Sequence, residues 1–186
     1  MRWPIFAVFA LGFMVVQLSL RGVFTLQSVG WISPDIVACL VVFVALFAHR
    51  QSALWACWIL GVAMDLAPSP VGGMHIVGPY ALGYVFGAFV ILQLRTMVFR
   101  RRALTIGFLT ALCVLATSVV AVAILMVRSW YPGGPTLPGG PMMEFIRHVG
   151  IAIYSGLLAI PLGWLLGATV NLWGFQSNVP RRTATR

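Results

Sequence analysis

Apolar residues run along this chain in long blocks, separated by short stretches rich in arginine or in proline and glycine. Six blocks stand out, at approximately 3 to 20, 33 to 48, 52 to 67, 76 to 99, 103 to 127 and 148 to 172. A hydrocarbon core roughly 30 Å thick needs about 20 apolar residues per helix, with about 17 to 25 common, so each block predicts a membrane-spanning helix or most of one. Between them lie Arg21 through Trp31, the tight His49-Arg50, PSPVGG, the Arg100-Arg101-Arg102 triplet, and SWYPGGPTLPGGPM, whose prolines and glycines mark the longer turns. The second and third blocks are short. They form either two crossings or a re-entrant hairpin with Arg50 near its tip.

Composition narrows the picture. With 61% hydrophobic and 8% charged residues, the 186-residue chain lacks the polar surface that a soluble domain of this size requires. The expected architecture is an all-α integral membrane protein: one six-helix transmembrane domain over residues 1–172, then a basic, disordered tail over residues 173–186. The first block has no small-x-small cleavage site after it and is expected to be retained as a span.

The net charge of +9 comes from twelve arginines and no lysine, set against Asp35, Asp65 and Glu144. On a soluble protein that balance would suggest nucleic acid. Here the arginines stand at the ends of apolar runs, where they set topology and meet anionic lipid headgroups, and no nucleic acid partner is expected. Arg2, Arg50, Arg100, Arg101, Arg102, Arg181, Arg182 and Arg186 fall on one side of a six-crossing topology, with Arg95 close by, against Arg21, Arg128 and Arg147 on the other. The positive-inside rule makes the richer side cytoplasmic, with both termini there. Cys39, Cys57 and Cys113 lie singly within apolar runs and read as small packing residues rather than as a disulfide or metal set. His75 and His148 each stand alone near a span end, so no metal or cofactor site is indicated. Nothing has the spacing of a nucleophile elbow, a P-loop or a zinc-protease helix, and no enzymatic activity is expected.

A few residues invite closer reading. Ser33-Pro34-Asp35 has the composition of a helix start, with serine able to cap, proline preset for the first turn, and a carboxylate near the positive dipole end. Asp65 instead sits in the last turn of its run, where the dipole disfavours an anion by about 0.3 to 1 kcal/mol. It needs either a partner or access to headgroup water. The available partners are Arg21, His75, Arg128, Arg147, His148 and the backbone amides around Gly72 and Gly73. Gly83 with Gly87, and Gly163 with Gly167, have the spacing that lets helix backbones approach, and packing within the bundle is expected of both pairs. Pro79 and Pro161 are expected to kink their helices.

From Pro34 to Tyr84 the chain resembles a family, the rod shape-determining membrane protein MreD of bacteria. The features shared are Pro34-Asp35 opening a span, Arg50 in the next short turn, Gly61-x-x-x-Asp65-Leu66, Gly73 eight residues beyond the aspartate, and a following span containing ALGY. Leu54 and Trp55 stand where that family has a small residue, and the loop before the sixth run is more elaborate. The resemblance implies a non-enzymatic inner-membrane scaffold of the cell-elongation machinery. Its partners would be MreC and, through it, MreB, RodA and a class B penicillin-binding protein, in support of peptidoglycan synthesis. It also implies a fold similar to the substrate-binding subunits of energy-coupling-factor transporters. The competing function is a small-molecule transporter subunit of that vitamin-binding type, with Asp35, Asp65 and His75 facing a ligand.

Overall fold

The computed structural model describes residues 1–24, 32–67, 78–95, 103–130 and 140–174, and these are helical with no strand among them. Six α-helices follow one another: α1 Trp3–Phe24, α2 Ile36–Phe47, α3 Arg50–Leu66, α4 Pro79–Leu94, α5 Ala103–Ser129 and α6 Gly140–Thr169, closed by a 3₁₀ turn at Val170–Trp173.

The organising element is α2. Its sequence, IVACLVVFVALF, offers no polar face, and a helix that is apolar all round is stable only when covered all round. Residues Ile36 to Leu46 are all buried, and each of the other five helices touches α2. Twelve residues rise only about 18 Å, well short of a bilayer core.

Pairwise registers show how the neighbours are laid down. Gly83 meets Thr117 and Gly87 meets Cys113, so α4 and α5 are antiparallel; Gly163 against Ile106 and Gly156 against Ala111 make α5 and α6 antiparallel as well. Along α2 and α6, Asp35 with Ser155 and Cys39 with Ala159 keep a constant offset of 120 residues, so these two run side by side in one direction. Ser155 lies at the centre of the 30-residue α6. The start of α2 therefore sits about halfway up the long helices rather than at their end.

One end of the bundle collects arginines. The Arg2 amide donates to the Trp173 carbonyl at 3.0 Å, Arg95 Nη1 donates to the Ala48 carbonyl at 3.1 Å, and the Arg50 guanidinium stands 5.8 Å from the Phe89 ring centroid. A cation on the last carbonyls of α2 complements the negative end of its dipole. Trp173, fully buried, packs against Phe9 and Phe43 with ring centroids 4.8 and 5.2 Å away. The described helical residues close with the 3₁₀ turn at Val170–Trp173; residues 175–186 of the expected tail lie outside the described residues.

Two helices, over Leu104–Val127 and Phe145–Trp173, are long and apolar enough to cross a membrane. The outer surface is apolar too: Val8, Leu11, Trp55, Phe108, Leu157 and Trp164 are all exposed, Trp164 to 76%. Gln17, Asp35, Asp65, Thr117, Ser118 and Ser155 are buried. Large apolar side chains outside and polar ones inside reverse the arrangement usual for a soluble domain.

Two boundaries differ from the sequence reading. The last helix starts at Gly140, not near 148, because Met142, Met143, Phe145 and Ile146 extend its apolar character and Pro141 falls in the first turn, where a missing N–H costs nothing. Pro79 does not kink a helix. It opens α4, directly after Gly78 at φ 132°, a left-handed backbone geometry open to glycine and strained for other residues. Pro161 does lie inside α6.

Candidate functional site

Two separate constellations of polar residues lie within the bundle, one around each buried aspartate. Asp35 is the N-cap of α2, with extended backbone and Oδ1 accepting from the Ala38 amide at 3.1 Å. That much follows from Ser33-Pro34-Asp35, with the aspartate rather than the serine serving as cap. What the sequence did not reveal is the set of neighbours. Tyr84 of α4 donates its hydroxyl to Asp35 Oδ2 at 2.6 Å. The Asp35 amide donates to Ser155 Oγ of α6 at 2.8 Å. Gln17 of α1 grips the same turn with both ends of its amide: Nε2 donates to the Pro34 carbonyl at 3.0 Å and Oε1 accepts from the Ile36 amide at 2.8 Å.

Three helices therefore converge on the point where α2 begins. The reason is the depth of that point: a helix starting inside the bundle leaves its first N–H groups away from bulk water, and each needs a protein partner. Gln17 and Ser155 were invisible as site residues, since each is a lone polar residue in an apolar run. The signal available was their rarity at mid-run, where a polar side chain needs a partner.

Asp65 belongs to the second constellation. It is buried, so headgroup water is not what satisfies it. Among the described residues its partners are backbone amides. Oδ2 accepts from the amides of Gly78 at 2.9 Å and Ala81 at 3.0 Å, and Oδ1 accepts from the amide of Tyr80 at 3.1 Å. The last turn of α3 thus caps the first turn of α4, and the unfavourable placement at its own helix end is offset by the positive end of the next. Gly61 makes the approach possible: a Cβ there would fall 2.4 Å from Ala81 Cα. Gly72, Gly73 and His75 lie outside the described residues.

The packing glycines divide unequally. Gly83 and Gly87 seat α4 on Thr117 and Cys113 of α5, and Gly163 seats α6 on Ile106. A Cβ at Gly167 would meet nothing within 4 Å, so the second pair is half used. The three cysteines are buried and free. Arg50 is exposed at the opposite end of the bundle, at the start of α3, and contributes to neither constellation.

Beside Asp35 lies a cavity of about 50 Å³, lined among others by Gln17, Asp35, Met64, Thr117, Ser118 and His148. No group of three or more histidine, cysteine, aspartate or glutamate side chains suited to a metal ion occurs among the described residues. No family model, characterised protein or solved structure matches this chain.

Proposed function

We propose that this protein is a multi-pass scaffold of the bacterial inner membrane, a subunit of the cell-elongation machinery that binds MreC and through it supports peptidoglycan synthesis. The observation that carries the reading is what the two acids of the Pro34 to Tyr84 pattern do. Both hold helix starts in place, by six hydrogen bonds shorter than 3.2 Å between the Asp35 turn, Asp65 and their partners on α2, α4 and α6. Groups used in this way shape a surface; they do not reach for a substrate. Asp65 and Gly61 lock the α3–α4 corner and so hold Ala67 and Gly78, the residues on either side of the Pro/Gly-rich segment; we assign partner binding to that segment.

In this reading all six helices lie within the membrane, α2 as a half-length helix wrapped by the others. The arginine end faces the cytoplasm, in keeping with the positive-inside rule, and the α3–α4 corner faces outward. The grouping of Arg2, Arg50 and Arg95 at one end supports that orientation.

Transport of a vitamin-sized molecule is the weaker reading. Ligand pockets of that kind enclose about 300 to 1,000 Å³, and the cavity beside Asp35 has about 50 Å³. Affinity purification of the tagged protein from native membranes, with identification of proteins and small molecules that come with it, separates the two. MreC in stoichiometric amount is the expected result; a co-purified vitamin with sub-micromolar affinity and no MreC would replace scaffold by transporter.

A further inference from the structure

The cavity beside Asp35 has a polarity that the scaffold reading leaves unused. Two of its wall residues, Thr117 and Ser118, are buried serine-type hydroxyls on α5, and both donate their proton to the carbonyl one turn back: Thr117 Oγ1 to Cys113 at 2.9 Å and Ser118 Oγ to Val114 at 2.7 Å. With the proton committed, each oxygen turns only lone pairs to the cavity. The Asp35 carboxylate, on the same wall, is also an acceptor. Gln17, Ser33, Tyr80 and His148, on the same wall, carry groups able to donate. A space that mixes these with the three acceptors suits a small molecule that both donates and accepts hydrogen bonds, as water does.

Size selects the molecule. A water needs about 10 to 15 Å³ of such volume and two to four polar partners, so about 50 Å³ holds roughly three waters and excludes a metabolite. Position gives the site its consequence. The α5 residues on the wall run from Val114 to Ala121, about 10 Å along the helix axis. Val114 is near the centre of the apolar stretch Leu104–Val127, and Ala121 is level with the start of α4 as the Gly83–Thr117 and Gly87–Cys113 registers place it. Ser33, Tyr80 and His148, which also line the cavity, are only half-buried, whereas Gln17 and Asp35 are buried.

We infer that this cavity is an internal water site, a recess opening at the α3–α4 end of the bundle that brings about three waters to Asp35 at the mid-depth of the fold. The waters donate to Thr117, Ser118 and the Asp35 carboxylate, and they lessen the cost of an acid placed where α2 begins. The depth assigned to the site rests on the membrane reading proposed above; the presence of water in it does not.

The test is radiolytic hydroxyl labelling of the full chain in lipid nanodiscs prepared in H₂¹⁸O, read by mass spectrometry. Met64 is buried, lines the cavity and reacts readily with hydroxyl radicals, so it reports water formed beside it. Met64 is expected to take up the label, and Ala121→Val, which places two methyl groups in the space, to slow that uptake by roughly tenfold as the waters are displaced. Thr117→Val, close to isosteric, removes one acceptor and should slow it less. Absence of label at Met64 in the wild type overturns the inference without need of any variant. Phe108 and Trp164, which are exposed on the outer surface, separate the two readings: label on both refutes burial in lipid, while Met64 alone decides whether the cavity is wet.

Discussion

Replacing Asp65 by alanine removes a single side chain and strips three amides of their acceptor. Those of Gly78, Tyr80 and Ala81 are among the N–H groups that a helix start cannot satisfy internally, and here they face α3 rather than water. A hydrogen bond to a charged acceptor contributes about 1.5 to 3 kcal/mol, and an abandoned buried amide costs about 1 to 3 kcal/mol. Three such bonds do not add fully, because the freed turn can relax toward the corner, so a loss of about 3 to 5 kcal/mol is expected for Asp65→Ala. Asparagine gives an internal control. With its oxygen in the Oδ2 position it keeps Gly78 and Ala81, while its NH₂ opposes the Tyr80 amide, donor against donor, and the cost should fall to about 1 to 2 kcal/mol. Reversible unfolding in mixed lipid–detergent micelles, titrated with SDS and followed by tryptophan fluorescence, measures both. Asp65→Ala within about 0.5 kcal/mol of wild type, the range of an ordinary surface change, would refute the capping role, as would equal effects of alanine and asparagine.

Other outcomes follow from the same contacts. Tyr84→Phe removes the 2.6 Å bond to Asp35 without emptying space and should destabilise by about 1.5 to 3 kcal/mol in the same titration. Gly61→Ala drives a Cβ against the Ala81 backbone and should cost about 1 to 3 kcal/mol or more; Gly167→Ala, which meets open space, should be neutral or stabilising by up to about 1 kcal/mol. In cells, Asp65→Ala should lower MreC recovery in pull-down and disturb rod shape while the protein still inserts; wild-type recovery and morphology would remove Asp65 from any functional role. Cysteines placed at Ser69 and Ser177 should react with membrane-impermeant reagents from the outer and cytoplasmic sides respectively, and the reverse pattern would invert the topology.

Much of the fold was readable because its cause is local. The apolar run at 33 to 48 implies a helix with no face for water, and Ser33-Pro34-Asp35 implies its start, although the residue that caps is Asp35 and not the serine. For Asp65 the difficulty visible in the sequence, an anion at a helix C-terminus, was the right one, and backbone amides were among the solutions open to it. The amides used are nonetheless those of Gly78, Tyr80 and Ala81, because closeness of α3 and α4 at Gly61 decides which ones are in reach. For Gln17 and Ser155 the sequence signals only that a mid-run polar side chain needs a partner; which partner it has depends on the depth at which α2 starts, a property of how six helices are stacked. The start of α6 was misplaced for a related reason. Arg147 and His148 resembled the flank of a span, yet a helix in contact with a long partner continues past such residues.

Underlying all of this is the claim that lipid covers the outer face on which Trp164, Phe108 and Leu157 are exposed. Extraction of native membranes with alkaline carbonate tests it directly, since that treatment releases proteins held by polar contacts and leaves embedded ones behind. The chain should remain in the membrane pellet and come into solution only with detergent. Its appearance in the carbonate supernatant, monodisperse without detergent, would contradict the account.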